Sequence, residues 1–363
     1  MAGREFNCRG CGAPLVYKPG TSMLSCASCG GTQAILKPLD DTVDEIAYLD
    51  TLHTMKPDAP LVERVTIHCN SCGANVEFPD NVTSTNCPYC GTPQVATKAT
   101  VKALSPTAVL PFFIDDAKAH TTYAVWLKSL WWAPSNLIKT ARIDDALQGV
   151  YMPFYTYDSK AFTLYTGQRG EDYWDTEIFS VVVSGRSQMR TRQVRKTRWF
   201  FTSGQVSTNF DDVLVIASGS LPTKRLAQLE PWDLANLVPY VDEYLSGFRS
   251  ETYAVALPDG FKIAQALMQP GIEFSIRNDI GGDQQRISTK DTRYENVTFK
   301  HILLPVWVAA YRYNGKVFRI LINARTGELT GERPYSWVKI TLAIIGAILA
   351  IALIVLGARF SGG

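Results

Sequence analysis

Eight cysteines carry the clearest chemistry in this 363-residue chain. Cys8, Cys11, Cys26 and Cys29 read C-x2-C-x14-C-x2-C, and Cys69, Cys72, Cys87 and Cys90 repeat that spacing 61 residues later. A glycine follows each pair, at Gly12, Gly30, Gly73 and Gly91. In such a knuckle the backbone bends round a metal, its amides point at thiolate sulfur, and glycine tolerates the positive φ. Two knuckles on two hairpins close a tetrahedral four-sulfur shell, which fits structural Zn²⁺. We expect two such ions. Four thiolates leave no position open to substrate, so catalysis at the metal is not expected. The metal folds the ribbon instead: about 10 to 16 kcal/mol of apparent binding free energy serves a module too small for its own core.

Other uses of the cysteines fit less well. Disulfides do not suit a reduced cytosol. A thioredoxin-like pair needs one C-x-x-C on a βαβ unit. A rubredoxin-like iron site shares the look of Cys87-Pro88-Tyr89-Cys90, but its knuckles are set further apart. His68, beside a complete quartet, reads as a surface residue. Elsewhere there is no phosphate-binding G-x-x-x-x-G-K-[ST], no H-E-x-x-H and no G-x-S-x-G. His53, His68, His120 and His301 form no evident cluster. Asp115/Asp116, Asp144/Asp145 and Asp211/Asp212 read as helix caps or solvated pairs. The chain is not expected to be an enzyme.

Composition bounds the rest. With 46% hydrophobic residues, 19% charged residues and a net charge of +2, the chain is neither disordered nor a polycation. Residues 1–100 hold seven basic and ten acidic side chains. Two Zn(Cys)4 centres, each formally −2, would bring that segment to about −7. This disfavours phosphate contacts by the ribbons and favours a protein-docking or spacer role.

The elements that must position these groups follow from patterning. Asp40–Met55 reads as a short amphipathic helix, with Val43, Ile46, Leu49 and Leu52 on one face. Ala108–Ile114 reads as a buried strand. Asp115/Asp116 cap a helix running to about Trp132, with Trp126, Leu127, Leu130 and Trp131 among its apolar residues. Pro134–Leu147 reads as a second helical segment and Val150–Tyr157 as a strand. Asp175–Gln188 and Thr191–Thr202 read as a hairpin with a basic tip of Arg186, Arg190, Arg192, Arg195, Lys196 and Arg198. That tip suits phosphates, anionic headgroups or an acidic partner, or is simply a solvated face. Pro258–Asp279 reads as a helix broken at Pro270-Gly271, and Gly281-Gly282 as its stop. Asn314-Gly315 marks a hairpin turn. Leu110-Pro111, Met152-Pro153 and Leu304-Pro305 suggest sheet edges, where proline is tolerated.

The C-terminus reads as a membrane span. Ile340–Ala358 is 19 residues without a charge, 11 of them Ile, Leu or Val. At 1.5 Å per residue the helix is about 28 Å long, near the ~30 Å hydrocarbon core. Those side chains favour insertion by about 3 to 6 kcal/mol. Trp337 and Lys339 at one end and Arg359 and Phe360 at the other suit the interfaces.

Several blocks together, among them VLPFFIDDAKA, WLKSLWWAPSNL, GVYMPFYTYD, TRQVRKTRWF, NDIGGDQQRI and FRILINARTGELTGERPYSW, resemble a family of bacterial zinc-ribbon membrane proteins. Its members are often labelled primosomal replication helicase-like or TFIIB-type zinc-ribbon proteins. The resemblance covers nearly the whole chain, yet no helicase motif is present. It implies a scaffold that tethers flotillin-like SPFH and phage-shock-type envelope-stress proteins at the membrane.

The expected architecture is α+β: zinc ribbons over 1–36 and 63–100, a linker with a short helix over 37–62, a cytoplasmic domain over 101–336, and a transmembrane helix over 337–360. The expected role is a cytoplasmic-membrane adaptor that recruits proteins. The alternative is a membrane-tethered nucleic-acid-binding or replication accessory factor.

Overall fold

The computed structural model describes residues 6–36, 42–54, 62–71, 73–77, 84–90, 92–95, 99–103, 105–137, 141, 147–183 and 186–361. Mixed helix and sheet appear as expected. The first ribbon is β1 (Leu15–Tyr17), β2 (Met23–Cys26) and β3 (Thr32–Ala34). There follow β4 (Ile46–Ala47), α1 (Tyr48–Thr54), β5 (Val62–His68), β6 (Asn75–Glu77), β7 (Ser84–Asn86), β8 (Pro93–Val95) and β9 (Ala99–Ala103). The body contains β10 (Ala108–Val109), α2 (Asp116–Ser129), β11 (Gln148–Val183), β12 (Arg186–Ile216), α3 (Thr223–Ala227), β13 (Val238–Pro239), β14 (Arg249–Ser250), α4 (Leu257–Ile280), β15 (Gln284–Tyr313), β16 (Lys316–Asn323) and β17 (Leu329–Gly331). The C-terminal helix is α5 (Trp337–Ser361).

Three antiparallel strands of 36, 31 and 30 residues, in the order β12-β11-β15, dominate. Straight, the longest would span roughly 120 Å. The expected strand at Val150–Tyr157 and the expected hairpin arms are therefore parts of one ladder. The innermost described pair is Val183 with Arg186, so Arg186–Gln188, expected on the first arm, belong to the second strand.

β15 stops pairing at Gln284, opposite Gly170. Beyond that level, 171–183 and 186–198 continue as a two-stranded ribbon. Near the middle, β12 slips register opposite Asp158 and β15 opposite Ser159. Asp212 and Asn296 take positive φ there, 51° and 52°. These bulges exchange the faces on which alternate side chains lie.

α4 lies along the three long strands. Leu257, Phe261, Ala264, Met268, Ile272, Ile276 and Ile280 form its buried stripe. Tyr157 Oη donates to Leu257 O (2.9 Å) near one end, and Tyr165 Oη donates to Asp279 Oδ2 (2.6 Å) near the other. The helix runs unbroken through Pro270, contrary to expectation. Proline inside a helix costs about 3 kcal/mol. Met268, Ile272 and Ile276, all buried on either side of Pro270, pin both halves to the same sheet and offset that cost.

Other expectations are corrected by tertiary pairing. Of 40–55, only Tyr48–Thr54 is helical among the described residues, because Ile46–Ala47 pairs with Thr298 and Phe299 as a strand. The strand at 108–114 is only Ala108–Val109. α2 ends at Ser129 and leaves Trp131 76% exposed. Most of the predicted 134–147 segment lies outside the described residues. Pro153 and Pro305 are not on outer edges. Pro153 falls between the stretches of β11 that pair β14 and β12, and Pro305 between those of β15 that pair β10 and β16. Each proline thus sits where one neighbour gives way to the next.

Several local expectations hold. Asp115 caps α2, accepting from Lys118 N at 2.8 Å. Gly281 ends α4 with φ 64°. Asn314-Gly315 makes the turn from β15 to β16.

Candidate metal centres

The knuckles form as local hydrogen-bonded turns. Gly12 N donates to Cys8 O (2.9 Å), Gly30 N to Cys26 O (3.0 Å) and Gly73 N to Cys69 O (2.7 Å). The three glycines have φ of 75°, 74° and 79°. A Cβ there would meet nothing within 4 Å, so backbone conformation, not space, calls for glycine.

The first site brings together all four predicted cysteines, their sulfurs within 4.8 Å of one another. Cys8 Sγ lies 3.6 Å from Cys29 Sγ and Cys11 Sγ 3.5 Å from Cys26 Sγ. A tetrahedron with Zn–S bonds of ~2.3 Å has S···S edges of about 3.8 Å. A disulfide would need about 2.05 Å. The sulfurs therefore form a metal-sized shell of thiols. Amides of Cys29 and Ser28 bring the Cys26 thiol down to about 6, which favours the thiolate that a metal requires.

The second site brings together Cys69, Cys87 and Cys90, with Cys69 Sγ 3.7 Å from Cys90 Sγ. Cys72 lies outside the described residues. The two sites differ in surroundings. In the first, Cys11 and Cys29 are exposed and only Cys26 is buried, whereas Cys69, Cys87 and Cys90 are 1%, 4% and 6% exposed. The second site shares a core with Leu110, Met152, Phe154 and Leu304. The first ribbon is tied to the body too. Leu15, Tyr17 and Leu24 join the core of Phe112, Tyr151 and Trp307, and Tyr17 N donates to Ser246 O at 2.9 Å.

Tyr89, between two ligands of the second site, is the peg that seats it. It is fully buried, and its hydroxyl donates to Glu251 Oε2 at 3.0 Å. Glu251 also accepts from Ser218 Oγ, Ser220 Oγ and Gly219 N. Burial pushes its carboxyl above the usual range, and these donors work against that rise. Arg319 Nε donates to Tyr89 O at 3.0 Å. No sequence motif marks Glu251, which lies 162 residues from Tyr89. Glu251→Ala would strand three hydroxyls in the interior. We expect it to lower unfolding free energy by about 3 to 5 kcal/mol, measured by denaturant melts. A change below 1 kcal/mol would contradict this role.

The bulges gather a third cluster, Glu45, Asp158 and Asp211, with carboxylate oxygens within 4.8 Å. Lys300 occupies it already, 2.8 Å from Asp212, 3.3 Å from Glu45 and 3.8 Å from Asp158. Thus Asp212 is ion-paired with Lys300 rather than capping a helix, whereas Asp211 is exposed. Burial raises Asp158 from 3.8 to about 6. The folded state then binds the proton more tightly than the unfolded one, so stability falls as pH rises from about 4 to 6. Asp158→Asn should therefore stabilise the protein at pH 7, by about 1 kcal/mol after solvent screening, and give no gain near pH 3.5. Thermal melts at the two pH values test this. An equal effect at both would refute it.

The histidines form no cluster among the described residues. His301 is a core residue packed on Tyr155, Tyr253 and Phe299, and burial lowers it to about 4.

The basic hairpin is more nearly neutral than its own strand suggests. Six cations on 186–198 face four acids on 171–177. Arg192 pairs with Glu177 (3.1 Å), Lys196 with Asp175 (2.7 Å) and Arg195 with Asp172. Arg198 lies over the Tyr173 ring. Arg186 and Arg190 have no carboxylate partner among the described residues. The face that holds the Asp172–Arg195 pair also exposes Trp174, Ile178, Val182 and Met189, each at least 65% exposed.

α5 completes the arrangement. It is long and apolar enough to cross a membrane, and no residue of Trp337–Ile354 is buried. No protein-family model matches the chain, and no solved structure does. Over 240 residues it is 23% identical to a Bacillus subtilis (strain 168) protein named Uncharacterized protein YdjG, covering 65% of this chain and 66% of that one. The match thus spans just under two thirds of the relative's length, and the relative's name states no activity, ligand or partner.

Proposed function

We propose that this protein is a single-span scaffold of the cytoplasmic membrane, with its body in the cytoplasm and two structural zinc ions. The observation that carries the reading is α5, an apolar helix that nothing in the body covers. The four-thiolate shells support zinc in a structural role, because such a shell keeps no position for substrate. The reading assigns the body no catalytic step. Its recruiting surfaces are the exposed edge of the first site and the face of the 171–198 ribbon that carries Trp174, Ile178, Val182 and Met189, since the described cysteines of the second site are buried. Exposed apolar side chains grouped on one ribbon face suit protein contact. The family resemblance suggests flotillin-like SPFH or envelope-stress proteins as the partners. A nucleic-acid role draws less support, because three of the hairpin's six cations are already paired with acids.

The test is purification of tagged, full-length protein from nuclease-treated, detergent-solubilised membranes, followed by mass spectrometry. SPFH or envelope-stress proteins should co-purify with the wild type and be lost from a Trp174→Ser/Ile178→Ser variant. Replication proteins in their place would overturn the scaffold reading.

A further inference from the structure

The end of α2 and the start of α5 are held together across the fold. Lys339 Nζ donates to Trp131 O at 3.0 Å and to Ala133 O at 2.8 Å. Ser336 N donates to Trp132 O at 2.8 Å. Leu130 and Ala133 are buried in the first core, so the chain that presents these carbonyls is anchored on both sides of the tryptophans. The two indoles between them are not covered: Trp131 is 76% and Trp132 38% exposed. Tyr335 and Trp337 flank them at 54% and 81%. The Arg333 guanidinium lies over the Tyr335 ring, 5.4 Å from its centre.

Depth follows from the ties. Lys339 is two residues beyond Trp337, a rise of about 3 Å along the helix. The backbone tie from Ser336, one residue before the helix, to Trp132 O sets that carbonyl level with the start of the helix. The headgroup layer is about 5 to 8 Å thick on each side of the hydrocarbon. Four exposed aromatic rings at the foot of the helix, with Arg333 over Tyr335, have the chemistry of the membrane–water boundary. Indole and phenol rings are amphipathic there, and the Arg333 cation suits anionic headgroups.

We propose that Trp131 and Trp132, with Tyr335 and Trp337, form an aromatic collar that lies among lipid headgroups and sets the orientation of the body against the bilayer. The inference rests on the membrane reading of α5, with which the surface is continuous. In this arrangement Lys339 is a positioning residue: its ammonium is directed down onto the body, not up the span.

The test uses full-length protein in phosphatidylcholine–phosphatidylglycerol vesicles, with and without phosphatidylcholine brominated near the top of its acyl chains. Bromine quenches tryptophan at contact. The proteins compared are the wild type, Trp131→Phe/Trp132→Phe and, as a control on the distant ribbon, Trp174→Phe. The double variant should lose at least half of the bromine-quenchable emission, and Trp174→Phe none of it. Matching thermal melts confirm that the phenylalanines leave the fold intact. Undiminished quenchable emission in the double variant, with protein that floats with vesicles and resists carbonate, overturns the collar and leaves the span standing. It would mean that the tryptophans face water or a protein partner. Wild-type protein that fails to float or is stripped by carbonate overturns the span itself, and the collar with it.

Discussion

Cys87→Ser is expected to abolish the cooperative melt of the body, whereas Cys11→Ser should leave a lower but cooperative one. Both remove one thiolate from a cluster of metal-ligating cysteines, so chemistry alone does not separate them. Their surroundings do. Cys87 is 4% exposed in a core shared with β10, β11 and β15, and Tyr89 beside it is fully buried. Structural zinc contributes about 10 to 16 kcal/mol of apparent binding free energy, and whole domains are stable by only about 5 to 15 kcal/mol. Without the metal, buried thiolates repel one another in low dielectric or must protonate. Cys11 faces solvent, and the packing of Leu15, Tyr17 and Leu24 on the body survives its loss.

Elemental analysis should find two metal ions per wild-type chain, one in Cys11→Ser, and one or none in Cys87→Ser. Tryptophan-fluorescence melts and limited proteolysis report the fold. A Cys87→Ser protein that melts like the wild type would show that the second site is an accessory to this core and not a part of it.

Leu349→Arg/Ile351→Arg is expected to remove the protein from carbonate-washed membranes. Each arginine at mid-span costs roughly 2.5 to 3.5 kcal/mol, so the pair costs about 5 to 7 kcal/mol, and two aliphatic contributions are lost as well. The aliphatic residues of the span favour insertion by only about 3 to 6 kcal/mol in total. The balance reverses. Both positions are exposed and make no contact that stabilises the body. Metal content and the melt of the body should therefore match the wild type in detergent. Retention in the washed membrane at the wild-type level would count against α5 as the anchor. A collapsed body would instead reveal a packing role for α5 that its exposure does not indicate.

What could be read from the chain was what a few neighbouring residues decide among themselves. A C-x-x-C-G knuckle, the Asp115 cap, the Asn314-Gly315 turn, the Gly281 stop and the charge-free run after Lys339 each complete their own hydrogen bonds or their own transfer free energy within a turn or one helix. Their energies do not depend on what lies elsewhere, so spacing sufficed to place both cysteine sites and the apolar helix. The α+β class was legible for the same reason, since each element's period is local.

Only the tertiary structure decided how those pieces are used. The basic run on β12 looked like an open cation surface until β11 placed Asp172, Asp175 and Glu177 across from it. Pro270 looked like a break until the sheet held both halves of α4. Trp131 looked like a core residue until α2 ended one turn early beside the foot of α5. Glu251 carried no signal, because its donors come from Tyr89 and from Ser218–Ser220, and Lys339 meets Trp131 across 208 residues. Such contacts draw their free energy from burial and pairing between distant segments, and loop closure hides them from any window along the chain. Identical cysteine spacing thus yields one site half open to solvent and one whose described cysteines are all buried in the core, because spacing sets the ligand shell while the surrounding sheet sets what the shell supports.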